Sequence, residues 1–107
     1  MSPRVTATSG LAAILTLLAG NYSADERMAA FLISLSRRYS ARGFSATRFV
    51  LSMSRTDIAN YLRLAPETVS RVFRRFQDEK LLRVDRRELE LLNRASLETV
   101  ARDVLRA

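Results

Sequence analysis

The chain has 107 residues, 48% of them hydrophobic, and a net charge of +7 from 18 basic and 11 acidic side chains, enough for one small domain with its own core. It holds no cysteine and no histidine. That excludes a disulfide framework and thiolate metal sites, and removes the commonest metal ligand and the commonest acid or base near neutral pH, so neither an enzyme nor a cofactor is expected.

Residues 1–10 show no apolar periodicity and read as a loose leader. Leu11–Ala19 is the only strongly apolar run. It is far shorter than the roughly 20 residues a bilayer requires, no small-residue cleavage site follows it, and it is expected to be a short helix that docks on the core and stops at Gly20 and Asn21. Residues 1–22 are thus read as leader and short apolar helix, and residues 23–107 as the domain. Ser23 and Glu26 have capping-box spacing. Met28, Phe31, Leu32, Leu35 and Tyr39 follow at helical spacing, which predicts a helix over about 24–41, closed by Gly43 in a left-handed conformation.

Beyond a loop, Phe49–Ser52 reads as a short extended segment. Ser54 and Asp57 repeat the capping pattern, and Ile58, Ala59, Tyr61 and Leu62 mark the buried side of a helix of about eight residues. Arg63, Leu64 and Ala65 form a tight connection. Pro66 suits the first turn of the next helix, expected over 66–79. Leu81–Val84 and Glu88–Leu92 read as strands joined by Asp85, Arg86 and Arg87 in a hairpin loop. Ser96 is expected to cap a last helix whose apolar side is Leu97, Val100, Ala101, Val104 and Leu105. The order predicts a mainly α fold with a small β-hairpin wing, a winged helix-turn-helix.

The helix over 66–79 has two opposed faces. At about 100° per residue, Glu67, Ser70, Arg71 and Arg74 fall within about 100° of arc, while Val69, Val72, Phe73 and Phe76 lie on the far side. In a helix-turn-helix the second helix enters the DNA major groove and its N-terminal residues meet base edges. Glu67, Ser70 and Arg71 are placed for that. Arg71 can donate twice to guanine O6 and N7, Glu67 can accept from a cytosine amino group, and Ser70 can serve either way. The plainer alternative is that Glu67 complements the helix dipole and pairs with Arg71 four residues on.

A second set suits DNA phosphates: Ser54, Arg55 and Thr56 at the start of the first helix of the unit, Thr68, Arg74 and Arg75 beside the reading face, and Arg86 and Arg87 at the hairpin tip. Charge distribution points the same way. Residues 37–87 carry 13 basic and five acidic side chains, and the rest of the chain carries five and six. All the excess charge therefore sits in the segment expected to face a polyanion. Only one of the 18 basic residues is lysine. A GC-rich genome would explain that ratio but not the clustering.

The run from Ser23 to about Leu92 resembles the C-terminal DNA-binding domain of the Crp–Fnr family of bacterial transcription regulators, and most of all its Fnr branch. The stretches that carry the likeness are ADERMAAFLISLSRRYSARGFS, LSMSRTDIANYLRLAPETVSRVFRRFQ and LLRVDRRELEL. The resemblance implies a cytoplasmic regulator that binds double-stranded DNA, with Glu67, Ser70 and Arg71 reading a TTGAT-like half-site. Ser70 separates this branch from relatives with glycine there. It also implies backbone contacts by Ser54, Arg55, Thr56, Thr68 and the hairpin tip, and a contact to RNA polymerase through the loop Ala41–Arg48.

Departures from the family pattern are equally plain. No counterpart of the N-terminal β-roll sensor or the long dimerisation helix is found in these residues, so the expectation is that either the chain is an excised or truncated domain or it pairs weakly as a homodimer through the Leu11–Leu18 helix. Arg63 stands where the family commonly has glycine, Ala65 where a capping serine or threonine is frequent, and the hairpin tip lacks its usual glycine. The alternative function is a protein-interaction module, binding polymerase or a full-length relative, with DNA contact secondary.

Overall fold

The computed structural model describes residues 22–102 and residue 104. The expected leader, the Leu11–Ala19 helix with its proposed pairing role, and Leu105 lie outside the described residues. Within them the order is α1 (Ala24–Ala41), β1 (Arg48–Val50), α2 (Arg55–Leu62), α3 (Pro66–Asp78), β2 (Leu82–Asp85), β3 (Glu88–Leu91) and α4 (Arg94–Val100).

Both capping boxes form. Ser23 Oγ accepts the Glu26 N–H at 3.1 Å while Glu26 Oε1 accepts the Ser23 N–H at 2.8 Å. Ser54 Oγ accepts from Asp57 at 3.1 Å, and Asp57 Oδ2 accepts the Ser54 N–H at 3.4 Å. Each box satisfies two backbone donors that a helix start leaves free. Helix α3 has no such help: Ala65 makes no side-chain cap, and Pro66 at the first turn only removes one donor from the problem.

Three helices end in one way. The N–H of Phe44 reaches Tyr39 O and that of Gly43 reaches Ser40 O; Leu64 and Arg63 bond Ala59 and Asn60; Leu81 and Lys80 bond Phe76 and Gln77. Each is a Schellman closure, with a left-handed residue followed by an apolar one. Only the first uses glycine, Gly43 at φ 84°; Arg63 at φ 57° and Lys80 at φ 59° adopt the same region with a side chain attached.

The core gathers one side of every element. Met28, Leu32 and Ile33 of α1, Ile58 and Leu62 of α2, Val69, Val72 and Phe76 of α3, and Leu97 of α4 are essentially sealed from solvent. Leu82, Leu89 and Leu91 close it from the sheet. Two expectations about the helices shift. Tyr61 is not fully buried but 37% exposed, lying edge-on to Phe31 with ring centroids 5.7 Å apart. The cap of α4 is Asn93, whose side chain accepts the Ser96 N–H at 3.1 Å, so the helix starts ahead of Ser96 rather than at it.

The wing is larger than a hairpin. Its strand order is β1-β3-β2, all antiparallel. The extended segment expected over Phe49–Ser52 pairs over Arg48–Val50 instead, with Phe49 opposite Leu89. Pairing shifts it because Phe49 must point inward with Leu89, which turns Arg48 and Val50 out. Asp85 belongs to β2, opposite Glu88, so the loop is only Arg86 and Arg87. On the outer face, Arg48 and Arg83 flank Glu90, and Arg83 pairs with it.

Candidate nucleic-acid interface

Helices α2 and α3 pack against each other across the tight turn at Arg63–Ala65. The apolar stripe of α3 is buried, and its opposite face is open: Glu67, Ser70, Arg71, Arg74 and Arg75 are exposed, with Thr68 half-buried at the edge. The Val/Phe side thus anchors the helix and leaves the polar stripe outward. Thr56, Arg86 and Arg87 are exposed too, and Ser54 and Arg55 are half-buried.

The polar contacts sort these groups. Arg71 Nη2 donates to Thr68 Oγ1 at 3.2 Å, one turn back, and among the described residues Glu67 takes part in no ion pair. The Glu67–Arg71 pairing that a plain surface helix would use is therefore not the one formed. Arg74 is likewise outside every ion pair of the described residues. Arg75 donates to Asp25 at the start of α1. Ser54 spends its hydroxyl on the capping box.

Arg55 is the most constrained of the set. Its guanidinium carbon lies 4.5 Å from the centre of the Phe73 ring, and its Nη2 reaches the Arg86 carbonyl at 3.4 Å. Burial lowers its pKa from the ordinary arginine value, yet the group stays cationic under any normal condition. The neighbouring Arg87 carbonyl accepts from the Leu51 N–H at 2.7 Å. The wing tip is thus held through two backbone carbonyls, and both arginine side chains remain free to project.

Several supporting residues carry no obvious sequence signal. Arg27 Nη1 donates to Leu62 O at 3.0 Å, closing the last turn of α2. Gln77 Oε1 accepts the Val84 N–H at 3.2 Å, covering the open edge of β2. Among the described residues Ser36 is the one polar residue that is buried. It donates to Ala46 O and accepts from Arg94 Nε at 2.9 Å, while Arg94 also holds Glu98 at 3.1 Å. This network ties the loop 41–48 to α1 and α4. A serine inside the apolar stripe of residues 28–36 is the one hint of it in the letters.

A basic, outward-facing second helix on a helix-turn-helix with a three-stranded wing defines a DNA-binding domain of a transcription regulator. The sequence matches the Crp-like helix-turn-helix domain over residues 26–100, and the chain belongs to that family, whose members are regulators and not enzymes. It is 57% identical over 81 residues to the transcriptional activator protein FnrA of Stutzerimonas stutzeri, covering 76% of this chain and 33% of that protein. With the transcriptional activator protein Anr of Pseudomonas protegens it shares 56% over 77 residues, 72% of this chain and 32% of that one. The solved structure of FixK2 from Bradyrhizobium japonicum superposes with a TM-score of 0.69 at 38% identity, covering 78% of this chain and 41% of its own. The chain therefore spans about a third of the length of the full relatives it matches. Among the described residues no helix is long and apolar enough to cross a membrane.

Proposed function

We propose that the chain recognises a TTGAT-like half-site in double-stranded DNA, with α3 in the major groove, as the DNA-reading part of a bacterial cytoplasmic regulator. Arg71 forks onto a guanine, Glu67 accepts from a cytosine amino group, and Ser70 completes the reading set. Ser54, Arg55, Thr56, Thr68, Arg74, Arg75, Arg86 and Arg87 form the backbone-facing rim, some touching phosphates and some holding the others in place. A palindromic operator places two such helices one helical turn apart.

The observation that carries the reading is the orientation of α3: Val69, Val72, Phe73 and Phe76 buried, with Glu67, Ser70 and Arg71 exposed on the other side. A surface meant only to gather charge has no use for Glu67 in its centre, because an acid there weakens phosphate attraction. The test is selection of bound duplexes from a random pool at fixed salt, read by sequencing. Enrichment of TTGAT-like half-sites is the expected result. An unenriched pool would refute base reading and favour the interaction module.

A protein contact is supported separately at the loop 41–48. Phe44 is 62% exposed there, propped edge-on against Tyr39 at 6.2 Å, on a loop anchored from below by Ser36 and Arg94. A rigid loop presenting an aromatic side chain suits a protein partner, and RNA polymerase is the partner proposed.

A further inference from the structure

Among the basic residues of the DNA-facing side, Arg55 alone has its guanidinium over an aromatic ring, and it links the recognition helix to the tip of the wing. The planar cation lies across the Phe73 face at 4.5 Å. Phe73 itself is buried, so the ring cannot follow a guanidinium that moves away. From that fixed point Nη2 reaches the Arg86 carbonyl at 3.4 Å. Arg86 holds φ 59° and the next residue does not share that sign, a two-residue hairpin loop with a positive first φ, where glycine is normal. An arginine in that position needs outside support for its backbone. The support comes from Arg55 on one carbonyl and from the Leu51 N–H on the next.

We infer that Arg55 is a positioning residue for the wing: it acts on DNA through Arg86 and Arg87, by fixing their distance from α3, and not as a phosphate ligand in its own right. The inference rests on the reading of α3 and the wing as one DNA-facing surface. It makes Arg55 and the wing arginines a single functional unit, so their removals must not add. A lysine cannot substitute, because it lacks the flat fork that both stacks on Phe73 and reaches the carbonyl. A phosphate, by contrast, accepts a lysine readily.

The experiment measures binding of the 107-residue chain to a duplex with two inverted TTGAT half-sites and to a scrambled duplex, over a series of salt concentrations. The variants are Arg55→Lys, the pair Arg86→Ala with Arg87→Ala, and all three together. Each phosphate contact contributes about 0.9 to the slope of log K against log salt. The wing pair should therefore lower it by roughly 1.8, Arg55→Lys should lower it by a similar amount, and the triple variant should fall little below the pair. Phe73→Leu keeps an apolar side chain in the core, with less bulk, and removes the ring face, and should reproduce Arg55→Lys should the lysine variant fold poorly. A wild-type slope in either Arg55→Lys or Phe73→Leu overturns the inference. So does a triple variant whose further loss exceeds half that of Arg55→Lys alone. The base-reading proposal fails separately, by equal wild-type affinity for the two duplexes, since the slope is measurable on both.

Discussion

Replacing Arg63 by glycine should stabilise the domain. Arg63 ends α2 at φ 57° and ψ 49°, in the middle of the left-handed region, where a side chain costs about 1–2 kcal/mol. Nothing in the described contacts offsets this: Arg63 is exposed and takes part in no ion pair among the described residues. Glycine removes the clash but brings a freer unfolded chain, worth roughly 0.5–1 kcal/mol in the opposite sense. The net gain is about 0.5–1 kcal/mol, or about 2–8 °C in Tm for a domain of this size. Thermal unfolding followed by circular dichroism measures it directly. Arg63→Ala is the control, since it removes the charge and keeps Cβ, and should stay within about 0.5 kcal/mol of wild type. An equal gain in both variants would mean that charge crowding, not the backbone, is the strain. A glycine variant no more stable than wild type would refute the reasoning.

Arg71→Ala should cost about 1–3 kcal/mol on the selected site and relax the choice at one guanine, seen as equal binding to duplexes altered at that pair. Ser36→Ala leaves the Ala46 carbonyl without its donor and Arg94 Nε without its acceptor, and should cost about 1–3 kcal/mol in urea unfolding. Asn93→Ala should cost about 1 kcal/mol where Ser96→Ala stays within about 0.5, which separates the true cap of α4 from its neighbour. If Arg74, Arg75, Arg86 and Arg87 are the phosphate-binding arginines, the salt slope per domain should be near 3.6. Thirteen independent cations would give roughly 12.

The facing of α3 was legible because its two stripes differ in every residue: no arrangement of Val69, Val72, Phe73 and Phe76 other than inward is stable in water. Both capping boxes were legible for the same local reason, with partner and donor three residues apart. The cap of α4 was not, since Asn93 and Ser96 are both good caps and stand at that same spacing. Only tertiary packing of Leu97 and Ala101 decides which of them sits outside the helix. Nor could local pattern place β1. A three-residue strand takes its register from Leu89, forty residues on, and Arg48–Val50 has no alternation long enough to specify its own. The same distance hides the arginine partners. Arg75 meets Asp25 across 50 residues and Arg55 meets Arg86 across 31, and nothing in the order of the letters links them.

Those two partnerships differ in how easily DNA can break them. Arg75 and Asp25 are both substantially exposed, at 49% and 36% of their side-chain surface. Such pairs are worth about 0–1 kcal/mol and weaken with salt. A backbone phosphate offers the same guanidinium a bidentate partner of equal charge, so Arg75 can change partners at little cost. Arg55 has no equivalent exit. Its stack on the Phe73 ring is worth about 0.5–1 kcal/mol at a half-buried site, and leaving it also removes one of the two holds on the wing tip. Basic residues of one segment, equal in a charge count, thus divide by what holds them: Arg75 belongs with the groups that meet the phosphate backbone, and Arg55 with the frame that aims them.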